Sequence, residues 1–151
     1  MSESRRLQVV QRVTDAEERR QAERLGACER RVSECEAKLG ELEGYQASYA
    51  ADFARAATNG MAGARLRDFQ AFMARLGEAV RQQGDVLARA REERDAARAN
   101  WQRAAQRAEI VDHVVTHRQN DEQRALDQKE QRESDERAQN HPREKLDARG
   151  V

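Results

Sequence analysis

Two pairs of side chains in this sequence have a spacing that suggests site chemistry. His113 and His117 are four residues apart, which on a helix puts both imidazoles on one face, where a metal ion could bind them. Cys28 and Cys35 are seven residues apart, so on one helix their Cα atoms lie about 10.5 Å apart, too far for a disulfide. We interpret the histidines as solvated surface residues and the cysteines as small buried apolar residues. An intermolecular bridge or a metal site is the alternative.

Other signatures of catalysis are missing from the sequence. It contains no Gly-rich phosphate loop, no HExxH, no CxxC and no recognisable constellation of a nucleophile and a base. The many acidic residues alternate with basic ones and are typical of solvated helix faces. The sequence therefore predicts a protein without enzymatic activity, cofactor or bound metal.

The composition favours helices over a globular core. Charged residues make up 37% of the chain and aromatic residues 4%, which is too little apolar material for a compact core but enough for a seam between helices. The chain contains 28 Lys and Arg residues and 28 Asp and Glu residues, and positive and negative charges are mixed along it. The basic patch that is typical of nucleic-acid-binding proteins is therefore missing. No window approaches the roughly 18 apolar residues of a membrane span. We expect a soluble, cytoplasmic protein without direct membrane insertion.

One turn divides the chain into two long helical stretches. Asn59-Gly60, followed by Gly63, predicts a turn at about 58–63. We expect a helix at about 5–57 and a second at about 64–140, together one coiled-coil domain over 1–140. The single proline, Pro142, predicts the end of the second helix and a disordered tail at 141–151.

Apolar residues recur at alternating spacings of three and four in both stretches, which predicts a coiled-coil seam. Placing Phe53 opposite Phe69 also pairs Cys35 with Leu87 and Leu7 with Val115, as an antiparallel register requires. The predicted fold is all-α, an elongated antiparallel two-helix coiled coil (α-hairpin) with a longer second helix that has no partner after about Arg118. The frame comprises Leu25, Cys28, Val32, Cys35, Leu39 and Leu42, extended forward to Phe53 and back to Leu7, and Leu66, Phe69, Met73, Leu76, Val80, Gln83, Leu87, Ala90, Arg94, Ala97, Trp101, Ala104, Ala108, Val111 and Val115.

Two polar residues, Gln83 and Arg94, interrupt the second frame. We favour the interpretation that these long side chains leave the seam toward water. The alternative is that they specify the register.

Near the turn, apolar residues also occupy positions beside the frame. In an antiparallel pair these g positions of both helices lie on the same side, so a two-helix seam leaves them uncovered. They predict an exposed apolar surface, which we call the ridge and interpret as a partner-binding surface. The alternative is a wider core at the hairpin tip. The ridge comprises Leu42, Tyr45, Tyr49, Phe72, Leu76 and Ala79, with Gln83 at its edge.

An ordered pattern of residues runs through both helical stretches. It consists of Tyr45-x3-Tyr49, a turn, Leu66-x2-Phe69-x2-Phe72-x3-Leu76-x3-Val80-x2-Gln83-x3-Leu87, and then Arg98-x2-Trp101. This pattern resembles the flagellar export protein family FliJ over roughly residues 5–140. The segment Glu130-Gln131-Arg132-x2-Asp135-Glu136-x-Ala138 is similar to the family's C-terminal signature.

The resemblance implies a component of the flagellar type III export apparatus, with two partners. A FliJ-like stalk binds the hexameric export ATPase, promotes its ring assembly and activity, and couples it to the cytoplasmic domain of the export-gate membrane protein. It also escorts export components together with other export chaperones. The protein would then lie in the cytoplasm, peripherally associated with the inner membrane at the flagellar basal body.

The resemblance also assigns surfaces to these partners. The family's export-gate contact corresponds to the ridge, including Gln83. The paired termini and the unpaired end of the second helix would contact the ATPase ring through Leu7, Val10, Val111, Val115, Arg118, Arg124 and Arg132. Two alternatives remain open: the equivalent stalk of a virulence type III secretion system, and a generic structural homodimeric coiled coil.

Overall fold

A computed structural model describes the backbone of residues 2–149 and the side chains of residues 2–140. It consists of two helices, α1 (Glu3–Thr58) and α2 (Gly63–Arg149), and the described residues contain no strand. The predicted all-α helical hairpin with a longer second helix is confirmed. The helix bounds differ most at the end of α2, which was expected at 140 and is found at Arg149. Of the expected tail at 141–151, residues 150 and 151 lie outside the described residues.

The chain reverses direction at residues 59–62. The Thr58 hydroxyl donates to the carbonyls of Ala54 and Arg55, and the amide of Gly60 donates to the Ala57 carbonyl at 3.3 Å. Gly60 has a φ of +82°, a left-handed conformation that glycine adopts without the steric cost other residues meet. This residue therefore ends α1 and directs the chain into α2.

The two helices pack in two compact units. We call Glu17–Ala104 the turn unit, and the residues up to Ala16 together with those from Ala105 onward the terminal unit. The single domain predicted over 1–140 stays a prediction.

The turn unit is built on the predicted seam. Val32, Cys35, Leu87 and Ala90 form its buried core cluster. Nearer the turn the rings of Phe53 and Phe69 stack with centroids 4.0 Å apart. Every buried residue among those the structure describes lies on the predicted frame. The spacing of three and four residues in the sequence therefore identified the residues that are buried.

In the terminal unit, the start of α1 packs against the middle of α2. Ala108 and Val115 are buried, and Gln11 donates a hydrogen bond of 2.8 Å to Asp112. Arg118 forms an ion pair of 2.7 Å with Glu3, at the first turn of α1. These contacts agree with the predicted antiparallel register.

Beyond Arg118, every described side chain of α2 up to residue 140 is exposed. The hydrogen bonds found there, such as Gln123 to Asp127 and Gln131 to Asp135, run from residue i to i+4 within α2. A helix this polar gains little from burial, so it relies on local pairs worth about 0.2–0.5 kcal/mol each.

Candidate partner-binding surfaces

The ridge is exposed in the turn unit as an aromatic cluster. Tyr45, Tyr49 and Phe72 are 55%, 44% and 37% exposed, and the rings of Tyr49 and Phe72 meet edge-on with centroids 4.9 Å apart. Leu42, Leu76 and Ala79 are half-buried. An edge-on pair prefers this geometry electrostatically and holds both rings in place. Tyr49 and Phe72 therefore support each other's position on the exposed surface.

The sequence places these aromatic residues outside the seam for a geometric reason. Tyr45 and Phe72 occupy g positions, which flank a two-helix seam rather than fill it. Tyr49 is a frame residue, but its ring packs against Phe72 at the flank and stays largely exposed. A third layer would be needed to cover this side, and α1 and α2 do not provide one.

Gln83 is the predicted ridge residue that the structure places elsewhere. Its side chain is 8% exposed, and its amide nitrogen donates a hydrogen bond of 3.2 Å to the backbone carbonyl of Cys35. The interpretation that it leaves the seam toward water is wrong, because this hydrogen bond satisfies the amide inside the seam. Gln83 therefore contributes to the pairing of the helices and not to the exposed surface.

A shallow hollow of about 200 Å³ opens on the turn unit where Gln83 is buried. Its apolar lining consists of Cys35 and Val86, and Val86 packs against the core cluster. Val86 is also a g position, one heptad beyond Ala79 of the ridge. The hollow is lined by Arg31, Glu34, Cys35, Lys38, Gln83 and Val86.

The residues assigned to the ATPase ring by resemblance differ widely in exposure. Val10 is exposed, whereas Leu7 and Val111 are half-buried. Arg124 and Arg132 are exposed on α2, and Arg118 is paired with Glu3. Val115 is 5% exposed, so it fills the seam of the terminal unit and offers no contact surface. Val115 is buried because it occupies a frame position between the two helices.

The terminal unit also exposes five β-branched apolar residues, of which the resemblance had assigned only Val10 to a partner. All of them have side chains that are between 42% and 63% exposed. We call this set the valine patch: Val9, Val10, Val13, Ile110 and Val114. Val9 with Val13 and Ile110 with Val114 are i, i+4 pairs, which lie on one helix face. These residues lie outside the seam frame, so the spacing of three and four did not identify them as a surface.

The cysteine pair and the histidine pair, whose spacing suggested chemistry, do not form a site among the described residues. Cys35 is buried and Cys28 half-buried, and both are free thiols. His113 lies 3.9 Å from Glu109, and His117 lies 3.3 Å from Asp121, all on the exposed surface of α2. No three histidine, cysteine or acidic side chains among the described residues are grouped so that they could hold a metal ion.

The shifted pKa values have a local cause on the surface of α2. The hydrogen bond donated by Arg81 holds the pKa of Glu78 below its ordinary value, and the same bond raises the pKa of Arg81. Both side chains are at least half exposed. An i, i+3 pair of this kind supports its own helix turn.

In the part of the chain that the structure describes, neither helix carries a stretch that is both long and apolar enough to cross a membrane.

Comparison with known protein families gives a match along most of the chain. The family described as "Flagellar FliJ protein" matches residues 3–146, which is nearly the whole chain. No curated protein and no solved structure matches it.

Proposed function

The chain belongs to the FliJ family of flagellar proteins, and from this premise we propose that it is a stalk-like coupling protein of flagellar type III export. In this role it binds the export ATPase ring, promotes ring assembly and activity, and couples the ring to the cytoplasmic domain of the export gate. The flagellar family match favours this role over the equivalent role in a virulence secretion system.

The observation that carries the proposal is the exposed aromatic ridge. Tyr45, Tyr49 and Phe72 expose large rings on a chain in which aromatic residues make up 4%. Aromatic side chains are over-represented among the residues that dominate binding energy, because each buries a large area at a low cost in side-chain entropy. We assign the export gate to this surface, which comprises Leu42, Tyr45, Tyr49, Phe72, Leu76 and Ala79.

The valine patch supports a second contact, in the terminal unit. Its exposed β-branched residues include two i, i+4 pairs, Val9 with Val13 and Ile110 with Val114, so they are grouped on helix faces and not scattered singly. We assign the export ATPase ring to this patch, with Val10 common to both the patch and the residues expected by resemblance. Arg124 and Arg132, on the exposed part of α2, extend the same contact.

The coupling role also implies a location and an escort function. A protein that contacts both the ring and the gate lies in the cytoplasm, at the inner-membrane face of the flagellar basal body. Other export chaperones would meet it there.

The test is reconstitution with the two partners. We expect the purified protein to raise the ATP hydrolysis rate and the hexamer fraction of the cognate export ATPase, and to bind the purified cytoplasmic domain of the export gate. Phe72→Ala with Tyr45→Ala should reduce gate binding without changing ATPase stimulation. A protein that alters neither the ATPase nor the gate would contradict the proposed function.

A further inference from the structure

One stripe of α1 is complementary in charge to its own reverse. Its residues recur at spacings of three and four, which places them on one face of a continuous helix. Two valines stand at the centre of the stripe, and one acidic and one basic residue stand on each side of them. The stripe consists of Glu3, Arg6, Val10, Val13, Glu17 and Arg20. Reversing its direction puts a basic residue at each acidic position and an acidic residue at each basic position. The stripe therefore complements an antiparallel copy of itself.

A stripe on α2 has nearly the same property. It consists of Arg103, Arg107, Ile110, Val114, His117 and Asp121, again at spacings of three and four. Its reverse places Ile110 opposite Val114 and Arg103 opposite Asp121. Arg107 opposite His117 is the one pair without opposite charges. Both helices thus combine an apolar centre with charges that match an antiparallel copy at the ends.

The centres of the two stripes lie on the same side of the helix pair and at the same level in the terminal unit. Val10 and Val114 are g positions, which an antiparallel pair presents on one side of its seam. The hydrogen bond from Gln11 to Asp112 fixes the level, so residues 10–13 lie beside residues 110–114. A single two-fold axis that crosses both helices at this level therefore reverses both stripes at once.

The apolar centre of this surface is open to a partner. Its two valines on α1 and its isoleucine and valine on α2 are between 42% and 63% exposed. Some of the flanking charges already have a partner within the chain: Glu3 pairs with Arg118, and Arg20 pairs with Glu17. A carboxylate has two acceptor oxygens and a guanidinium has five donors, so each group can add a second partner.

We propose that this face of the terminal unit is a dimerisation surface, which binds the same face of a second copy of this chain in antiparallel orientation. Each helix would lie on its equivalent in the second copy, so four helices form a bundle around the apolar centres. Arg6 would lie beside Glu17 of the second copy at the rim of the contact. Because each copy contributes only four apolar side chains to the centre, the contact is small and the dimer reversible.

The dimer would be a state of the free protein. The proposed contact of the export ATPase ring uses the valine patch, to which the four central residues belong, so the ring and the second copy would exclude each other. This exclusion rests on the proposed function, whereas the dimer itself does not.

The experiment measures the monomer–dimer equilibrium of the full chain by sedimentation at several protein concentrations. We expect Arg6→Glu alone and Glu17→Arg alone each to raise the dissociation constant about tenfold, because the symmetric dimer would contain two like-charge contacts. An equal mixture of the two variants should recover the original dissociation constant, since each replaced residue then meets an opposite charge in the other variant. Val13→Ser with Ile110→Ser should abolish the dimer, because it removes half of the apolar centre.

Arg12→Glu is the matched control, because it reverses an exposed charge of α1 at a position outside the stripe. It should leave the dissociation constant unchanged. Glu17 also accepts hydrogen bonds from Arg20 and Gln21 of its own helix, so circular dichroism must show equal helix content in all variants.

The outcomes separate the dimer from the proposed function. A chain that is monomeric at every concentration would overturn the dimer and leave the proposed function standing. A dimer that is insensitive to both charge reversals, or equally weakened by Arg12→Glu, would overturn the assigned surface. Failure of the mixture to recover would overturn the antiparallel pairing. Adding the cognate export ATPase should dissociate the dimer, and a ring that binds the intact dimer would overturn the exclusion and place the ATPase contact away from the valine patch.

Discussion

At the scale of single residues, the exposed rings of the ridge should dominate gate affinity. Replacing Phe72 and Tyr45 together by alanine removes two exposed rings and the edge-on contact with Tyr49. Aromatic anchors of this kind cost about 2 kcal/mol or more when truncated, so we expect at least a thirtyfold loss of affinity. Isothermal titration with the gate domain measures it.

The matched control for the ridge variant is Leu126→Ala, which truncates an exposed apolar residue outside the ridge. Its gate affinity should equal that of the unchanged chain. Helix content should be the same in both variants, since none of the three residues is buried. Equal losses in the two variants would show that general apolar exposure, and not the ridge, drives binding.

Gln83 should affect the pairing of the helices and leave gate affinity close to its original value. Replacing it by leucine exchanges a buried hydrogen bond to the Cys35 carbonyl for apolar packing of similar volume. Because that bond contributes about 1 kcal/mol and leucine gains from burial, stability should be retained or raised. Urea unfolding and gate titration test both parts. A large loss of gate affinity in a stable Gln83→Leu variant would restore Gln83 to the binding surface.

At the scale of the helices, alanine substitutions at three glycines should change the stability of the fold in opposite directions. Gly40 and Gly44 lie in the interior of α1, and a Cβ built on either has no neighbour within 4 Å. Alanine at each should therefore stabilise the fold by about 1 kcal/mol. Gly60→Ala should destabilise it, because its φ of +82° is strained for any residue with a Cβ. Urea midpoints of the three variants provide the measurement, and a stabilising Gly60→Ala would contradict the turn geometry.

The helices and their seam could be predicted because their signals are local. A spacing of three and four marks burial wherever two helices pair, so the frame anticipated buried residues as far apart as Val32 and Val115. The burial of Gln83 could not be predicted, since it depends on a carbonyl 48 positions away along the chain. The valine patch was missed for a different reason: its residues lie beside the frame, and their exposure depends on the absence of a third layer.

At the scale of the whole molecule, the two contacts should be separable. The proposed gate surface lies in the turn unit, and the valine patch lies in the terminal unit. Val13→Ser with Ile110→Ser should reduce ATPase stimulation by several-fold and leave gate affinity unchanged, since both side chains are at least 60% exposed. A coupled hydrolysis assay and gate titration on the same preparation measure this. A parallel loss of both activities would indicate unfolding or one shared surface.

Truncation after Arg118 tests whether the exposed part of α2 is needed for ATPase stimulation and not for folding. Every described side chain from 119 to 140 is exposed, and the hydrogen bonds found there run within α2, so removing these described residues costs the helix pair no buried contact. We expect a thermal midpoint within a few degrees of the full chain, because surface changes are usually worth under about 0.5 kcal/mol. ATPase stimulation should nevertheless be lost, since a lone polar helix is marginal in water and gains order from the ring that it contacts. Full stimulation by the truncated chain, at equal stability, would assign the ATPase contact to the valine patch alone.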